Sequence, residues 1–299
     1  MNALSHKILD SYQVRMRSSQ KKAFIELLKA ELPYEMKIEK TIFGGRNLIF
    51  GDPNTAKYIL TAHYDTAPVL PFPNFLTPKN MAVYIGFMLL ICLCVFAVMC
   101  GISLLLSLIF GSSEAFSFAY FAVLIFFFSW MFIGKPNKHT ANDNTSGVIT
   151  LLEALQDEKI RENCCIVLFD LEEMGLFGSS SFASKHKSVK KHVPVINFDC
   201  VGEGDDILII LPKKANNCKP ALEAAFISEN GKQIHFESAE RTLYPSDQSN
   251  FKRGIGVAAF KKNKFCGYYM NRIHTKKDTV CEAKNIELLV NGLTRLVRE

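Results

Sequence analysis

The 299-residue chain sets 35 lysines and arginines against 29 aspartates and glutamates, for a formal net charge of +6, and is 48% apolar. So small an excess, part of it in the short lysine runs 185–192 and 261–264, argues against a nucleic-acid partner, because such runs are ordinarily solvated helix ends or turns. Of the nine cysteines, three (Cys92, Cys94, Cys100) lie in an apolar stretch and two (Cys164, Cys165) are adjacent on a predicted buried strand; their spacing fits neither a zinc knuckle nor a disulfide framework, and they read as reduced apolar side chains.

Residues 1–32 are charged throughout and carry an amphipathic helical pattern, unlike a signal peptide. Residues 35–42 alternate polar with apolar, 47–50 are short and apolar, and 58–62 run straight into His63; these are predicted strands, the last a central one. Then comes a stretch of about 55 residues nearly free of charge. Residues 81–110 hold no ionisable side chain of the Asp, Glu, Lys, Arg or His type, and after the polar break Gly111-Ser112-Ser113-Glu114 the apolar run resumes over 116–133. At 1.5 Å per residue the second run reaches about 27 Å and the first rather more, so each can span the ~30 Å hydrocarbon layer. A long helix in a soluble core normally keeps a polar face, and neither run has one. The prediction is a transmembrane hairpin, residues 79–134, inserted into one domain made of 1–78 and 135–299.

Such a hairpin returns the chain to the side it left. Lys79, Lys135 and Lys138 flank its outer ends while the connecting loop has only Glu114, so the positive-inside bias puts the flanks in the cytoplasm; the expected location is the plasma membrane, with the catalytic domain on its cytoplasmic side. Tyr84 and Trp130 lie near the two ends, at headgroup level, as interfacial aromatics do.

Beyond the hairpin, 144–155 read as helix after an Asn/Thr/Ser cluster, 164–170 as a buried strand, 176–186 as helix, 193–198 as a strand ending at Asp199, 221–228 as helix, 256–260 as strand and 285–297 as a closing helix. Strands alternating with helices, with polar residues at the strands' carboxyl ends, predict an α/β fold, a three-layer α/β/α sandwich with its site at those ends. Gathered there are His63 and Asp65 in an H-x-D run, Glu172 and Glu173 behind the strand ending at Asp170, then Asp143, Asp199 and His274. Carboxylates and imidazoles in this mixture suit two divalent cations, which need terminal ligands and one carboxylate with both oxygens free to bridge. Asp143, at a loop-to-helix junction, is the candidate bridge.

On these residues the chain resembles the co-catalytic zinc exopeptidases of metallopeptidase family 28, which include bacterial aminopeptidases, glutamate carboxypeptidases and glutaminyl cyclases. The resemblance covers roughly 58–66 and 140–279, with motifs in family order: H-x-D at His63 and Asp65, N-D-N-x-S-G at Asp143, E-E-x-G-L-x-G-S at Glu172 and Glu173, N-x-D-x-V-G at Asp199, S-D-x-x-x-F at Asp247 and H-T-x-x-D at His274. It implies a mixed central sheet and two metal ions, zinc first. One is held by His63 and Asp199 and the other by Glu173 and His274, with Asp143 bridging. Glu172 becomes the general base, and Asp65 accepts the other N–H of His63 to fix its tautomer.

The sequence departs from the family at Gln248, where many members carry histidine, so Asp247 is expected only as a pocket or support residue. Phe251, Tyr268 and Tyr269 are candidates for an apolar specificity pocket. His6, His139, His186, His192 and His235 have no such context and read as surface or core residues.

The expected activity is peptide hydrolysis by a membrane-anchored aminopeptidase. Asp143 follows Lys135 by eight residues, at most about 27 Å of chain, so membrane-associated or membrane-released peptides are the expected substrates. The alternatives are hydrolysis of non-peptide amides, a one-zinc cyclase-like transferase, and a catalytically silent membrane scaffold. Clustered carboxylates count against the last, because without cations they repel. The sequence leaves the oligomeric state open.

Overall fold

A computed structural model describes residues 1–298, the side chain of Ser113 excepted. The amino-terminal part comprises α1 (Ala3–Ser11), α2 (Ser18–Glu31), β1 (Lys37–Lys40), β2 (Arg46–Phe50) and β3 (Tyr58–His63). Two long helices follow, α3 (Met81–Phe110) and α4 (Ser113–Ile133), before the chain returns with α5 (Gly147–Ala154), α6 (Glu158–Asn163), β4 (Cys164–Phe169), α7 (Phe177–Lys185), α8 (Lys187–His192) and β5 (Val195–Phe198). The last third holds β6 (Asp206–Leu211), α9 (Lys219–Ala225), β7 (Gln233–Ser238), β8 (Gly254–Asn263), β9 (Gly267–Tyr269) and α10 (Ala283–Arg298).

The strands form one mixed sheet in the order β1-β2-β4-β3-β5-β8-β6-β7, with β9 attached to β8. Its centre, β4-β3-β5-β8, is parallel throughout, and antiparallel pairings enter at β2 and β6. Successive side chains of a strand face opposite sides, which sorts them between two helical layers. On β3, Leu60 and Ala62 join a core with α1, α2, α5, α9 and α10, while Ile59 faces α7 and α8 alongside Val167 and Phe169 of β4. The mixed α/β sandwich read from the sequence is the fold observed.

Among the differences from the sequence expectation, two lie in the amino-terminal part. The first strand ends at Lys40 rather than at residue 42, because Ile42 enters a turn in which Phe43 takes a left-handed φ of 52° and stands exposed. The helical pattern over 1–32 is two helices, α1 and α2, parted by an extended strap at 12–17 whose Arg15 side chain is completely buried.

α3 opens under a cap in which the Asn80 side chain accepts the Val83 N–H, and it closes on Gly111 in the left-handed region; α4 opens under a Ser112 cap with Glu114 in its first turn. The two helices pack on each other and leave nearly all their other faces exposed, with only 11% and 6% of their most apolar windows buried. They are therefore not core helices of the sandwich. Thirty and 21 residues correspond to about 45 and 31 Å of helix.

Candidate metal centre

Parallel strands β4, β3, β5 and β8 stop on the same edge of the sheet, the place where open α/β sheets gather ligands. His63 is the last residue of β3, Asp199 follows β5 directly, and Glu172 and Glu173 stand in the turn after β4. Asp143 arrives in the turn 141–146 between the long helices and α5, and His274 in the loop between β9 and α10. Leu171, Cys200 and His274 all take left-handed φ values, 59°, 56° and 58°. Such backbone is uncommon outside glycine and persists only where surrounding bonds impose it.

Those bonds are specific. The Asn142 side-chain oxygen accepts the N–H groups of Gly202 (2.7 Å) and Glu203 (3.1 Å), that of Asn144 accepts those of Gly147 (3.0 Å) and Cys200 (3.2 Å), and the Ser146 hydroxyl accepts that of Val201 (3.0 Å). The Asp143 turn is thereby stitched to the turn that carries Asp199. A Cβ on Gly147 would lie 2.3 Å from the Phe198 carbonyl oxygen, so only glycine allows the approach. Asp278 completes the cradle by accepting the backbone N–H groups of Asn142 (2.8 Å) and Asp143 (3.0 Å).

The result is a compact donor set. Asp143 Oδ1 lies 3.3 Å from His63 Nε2 and its Oδ2 lies 2.8 Å from His274 Nε2, one oxygen toward each imidazole. Asp199 Oδ1 is 3.4 Å from His63 Nε2, and Glu173 Oε2 is 3.4 Å from His274 Nε2. Donor atoms of His63, Asp143 and Glu173 all lie within 4.8 Å of one another, as do those of His63, Glu172 and Asp199. Glu173 Oε1 and Asp199 Oδ1 are buried without a hydrogen-bond partner among the described residues. Unpaired buried carboxylate oxygens are costly, and nitrogen and carboxylate donors suit zinc; the residues fit a bound cation.

Electrostatics agree with that fit. Burial pulls the His63 imidazole down, but the charge of Glu172 and the nearby carboxylates of Asp143, Asp199 and Asp65 outweigh it and hold the ring well above its usual value. For His274 burial is likewise outweighed, by Glu173 and Asp143, and its value rises to about 10. Burial and then the Asp143 charge, opposed by His274, push Glu173 up to about 8, and burial alone ranks first in lifting Glu172 well above the carboxylate range. Asp143 moves the other way: burial is overcome by His274 and His63, so it stays ionised. Without a cation, protons take up the charge imbalance.

That predicts a pH signature. Stability contributed by protonated Glu173 and His274 is full below their ordinary values of 4.5 and 6.5 and is lost as pH rises through about 8 and about 10. A cation competes with the same protons and gains affinity over that range. The increment in Tm on adding stoichiometric zinc to the detergent-solubilised protein should therefore grow from pH 5.5 to pH 8.5; an increment that shrinks would contradict the donor set.

Several supports are not evident from the motifs. Arg15 donates from Nε to the Tyr64 carbonyl (2.5 Å) and from Nη2 to the Thr145 hydroxyl (3.0 Å), placing a buried cation beneath the site. Burial lowers its guanidinium to about 10, against the pull of Asp65. Behind β4, Lys21 and Asp170 form a buried ion pair, and the Tyr64 hydroxyl lies 3.0 Å from Asp170 Oδ2. Asp278, Asn142 and Asn144 had a signal, as letters of the H-T-x-x-D and N-D-N-x-S-G motifs; Arg15 had none.

Other expected residues are corrected. The His63 Nδ1 meets the backbone carbonyl of Asp65 at 3.1 Å, with the Asp65 carboxylate farther off at 3.6 Å. That carboxylate instead accepts the N–H groups of Glu172 (3.1 Å) and Glu173 (3.2 Å), so Asp65 chiefly holds the Glu-Glu turn. Phe251 packs in the core, stacked against Phe169 and edge-on to Phe182, and borders a cavity lined by none of the metal-centre donors. Tyr268 packs against His235 and under Lys262, and Tyr269 against Phe75, contacts at the sheet's margin rather than with the carboxylates. Asp247 is fully buried with neither oxygen paired among the described residues, and burial pushes it up to about 7.

A family model described as peptidase family M28 matches residues 129–291, just over half of the chain. No curated protein sequence matches. Among solved structures, a Zn-dependent exopeptidase from Parabacteroides distasonis is similar at a TM-score of 0.56 and 14% identity, covering 98% of this chain and 94% of that one. The Legionella pneumophila LapA aminopeptidase is similar at 0.53 and 13%, over 99% and 68% of the two chains, and a glutaminyl cyclase from Porphyromonas gingivalis at 0.52 and 15%, over 99% and 94%. At these identities the likeness establishes the fold.

Proposed function

Because the chain belongs to peptidase family M28, we propose that it is a membrane-anchored, zinc-dependent exopeptidase with two zinc ions that removes residues from the free amino end of peptides. The observation that carries this reading is the position of Asp143, with one oxygen toward His63 and the other toward His274. A carboxylate so placed would serve two cations at once. His63 and Asp199 would complete one site, and Glu173 and His274 the other.

When bound, such a pair acidifies a shared water and polarises the scissile carbonyl. Glu172 stands beside His63 and Asp199 with its backbone N–H fixed by Asp65. As general base it takes the water's proton and returns it to the departing amine. Asp65 keeps Glu172 and Glu173 in one turn, and Asp278 keeps Asp143 in its cradle. Buried Arg15, drawn to Asp65 and Asp143, offsets part of the carboxylate charge.

Anchoring rests on α3 and α4, whose exposed apolar faces far exceed what soluble monomers display. Lys79, Lys135 and Lys138 at their outer ends support a catalytic domain on the cytoplasmic side of the plasma membrane. Residues 79–134 are then an insert in a single domain of 1–78 and 135–299, and the short link from Lys135 to Asp143 keeps the site near lipid.

The LapA neighbour is described as an aminopeptidase, and the Porphyromonas gingivalis neighbour as a glutaminyl cyclase. The second likeness supports a competing reading with one zinc and no peptide hydrolysis. Detergent-purified, zinc-loaded protein screened against free-amine and amino-acetylated peptides separates the two. Stepwise cleavage of free-amine peptides only, at two zinc ions per chain, is the expected result; activity confined to blocked peptides, or cyclisation at one zinc, would overturn it.

A further inference from the structure

We infer that a cavity of about 400 Å³ at the foot of α4 holds the phosphate headgroup of an anionic glycerophospholipid, an inference that rests on the membrane reading above. The cavity is lined by Val69 and Leu70 before the long helices, by Trp130, Lys135 and Lys138 around the end of α4, and by Lys276 two residues past His274. All three lysines are exposed, none forms an ion pair among the described residues, and no Asp or Glu lines the cavity. Three cations converging on one concavity without a counter-charge repel one another and attract an anion.

The walls are built rather than open. Trp130 donates its indole N–H to the Val69 carbonyl (3.2 Å), the Val69 N–H donates to the Lys135 carbonyl (2.9 Å), and Pro68 bridges to Pro136. Trp130 stands one turn before the end of α4 and Lys135 two residues beyond it, so on the membrane reading the cavity lies at headgroup depth. Phe132 and Ile133, 45% and 70% exposed, continue the apolar surface along which an acyl chain would run. A diffusible phosphate has no use for that surface, which favours a lipid as the source; basic pockets beside membrane helices bind such headgroups.

The position also touches the metal centre. The Leu70 N–H donates to the His274 carbonyl (3.0 Å) and the Asn137 side-chain amide to the Thr275 carbonyl (2.9 Å), so the cavity shares its walls with the loop that carries a zinc-ligand candidate.

The test is native mass spectrometry of the full-length, detergent-purified protein titrated with phosphatidylglycerol or phosphatidylcholine. Phosphatidylglycerol should be retained at one equivalent and at least tenfold more tightly. Each surface lysine contributes roughly a fivefold factor, so Lys135→Gln, Lys138→Gln and Lys276→Gln combined should weaken retention on the order of a hundredfold, while the three Lys→Arg changes should preserve it. Equal retention of the two lipids, undiminished phosphatidylglycerol binding in the glutamine variant, or displacement by millimolar inorganic phosphate would overturn the site. If the glutamine variant does not fold, the wild-type comparison of the two lipids decides alone. Carbonate washing of membranes separates the premise: release of the protein sinks the membrane reading itself, whereas retention without lipid preference sinks only the headgroup site.

Discussion

Glu172→Gln is expected to lower kcat by about 10²–10⁴-fold while leaving zinc content at the wild-type level. Glutamine keeps the length and shape of the side chain but cannot take a proton, so the change isolates proton transfer. Glu172 is partly open to solvent, its backbone is fixed by Asp65, and the imidazole-to-carboxylate contacts that define the donor set run through Asp143, Asp199 and Glu173 instead. Loss of an interaction made only in the transition state lowers kcat and kcat/KM together, so KM should barely move. Turnover and zinc stoichiometry measured on the same preparation give the answer. Near wild-type turnover would transfer the base to another carboxylate, and coincident loss of zinc would make Glu172 a ligand.

Asp143→Ala is expected to remove zinc from both sites and to bring hydrolysis below detection, whereas His274→Ala should leave about one zinc per chain. The difference follows from position: Asp143 faces both imidazoles, at 3.3 and 2.8 Å, whereas among the described residues the His274 ring meets the carboxylates of Asp143 and Glu173 alone. Even partners that merely orient a ligand cost about 10–100-fold in affinity when removed, so deleting a shared donor should exceed that. Elemental analysis after dialysis is the measurement. Two zinc ions retained in Asp143→Ala would break the bridging scheme, and two retained in His274→Ala would remove that residue from it.

Much of the sandwich was legible because its central strands are apolar on both faces. Residues 58–62 and 164–170 could only be buried, and the strands β3 and β4 found there are buried at every position. β7 is not among the expected strands although Gln233–Glu237 alternates polar with apolar; it lies at the sheet's edge and is only half buried. β6 is not predicted either, although Ile207–Leu211 is a continuous apolar run, because nothing local distinguishes such a run from a short buried helix. The break between α1 and α2 was equally hidden, since Arg15 reads as one more charged residue of an amphipathic pattern until it is found beneath Tyr64 and Thr145.

The candidate site divides in the same way. Motif order named the residues that converge, but it misjudged what some of them touch: the Asp65 carboxylate turns to the Glu172 and Glu173 amides, and Phe251 turns into the core.

By itself the amino-acid order determined the α/β class, the two long apolar helices and the roster of carboxylates and imidazoles, because periodicity, charge and residue chemistry are local properties. Tertiary structure alone decided which oxygen of Asp143 faces which imidazole, that Arg15 lies under the site, and that Lys135, Lys138 and Lys276 share one cavity. Side-chain direction is set by what packs on each backbone from far along the chain, and no local pattern carries that information.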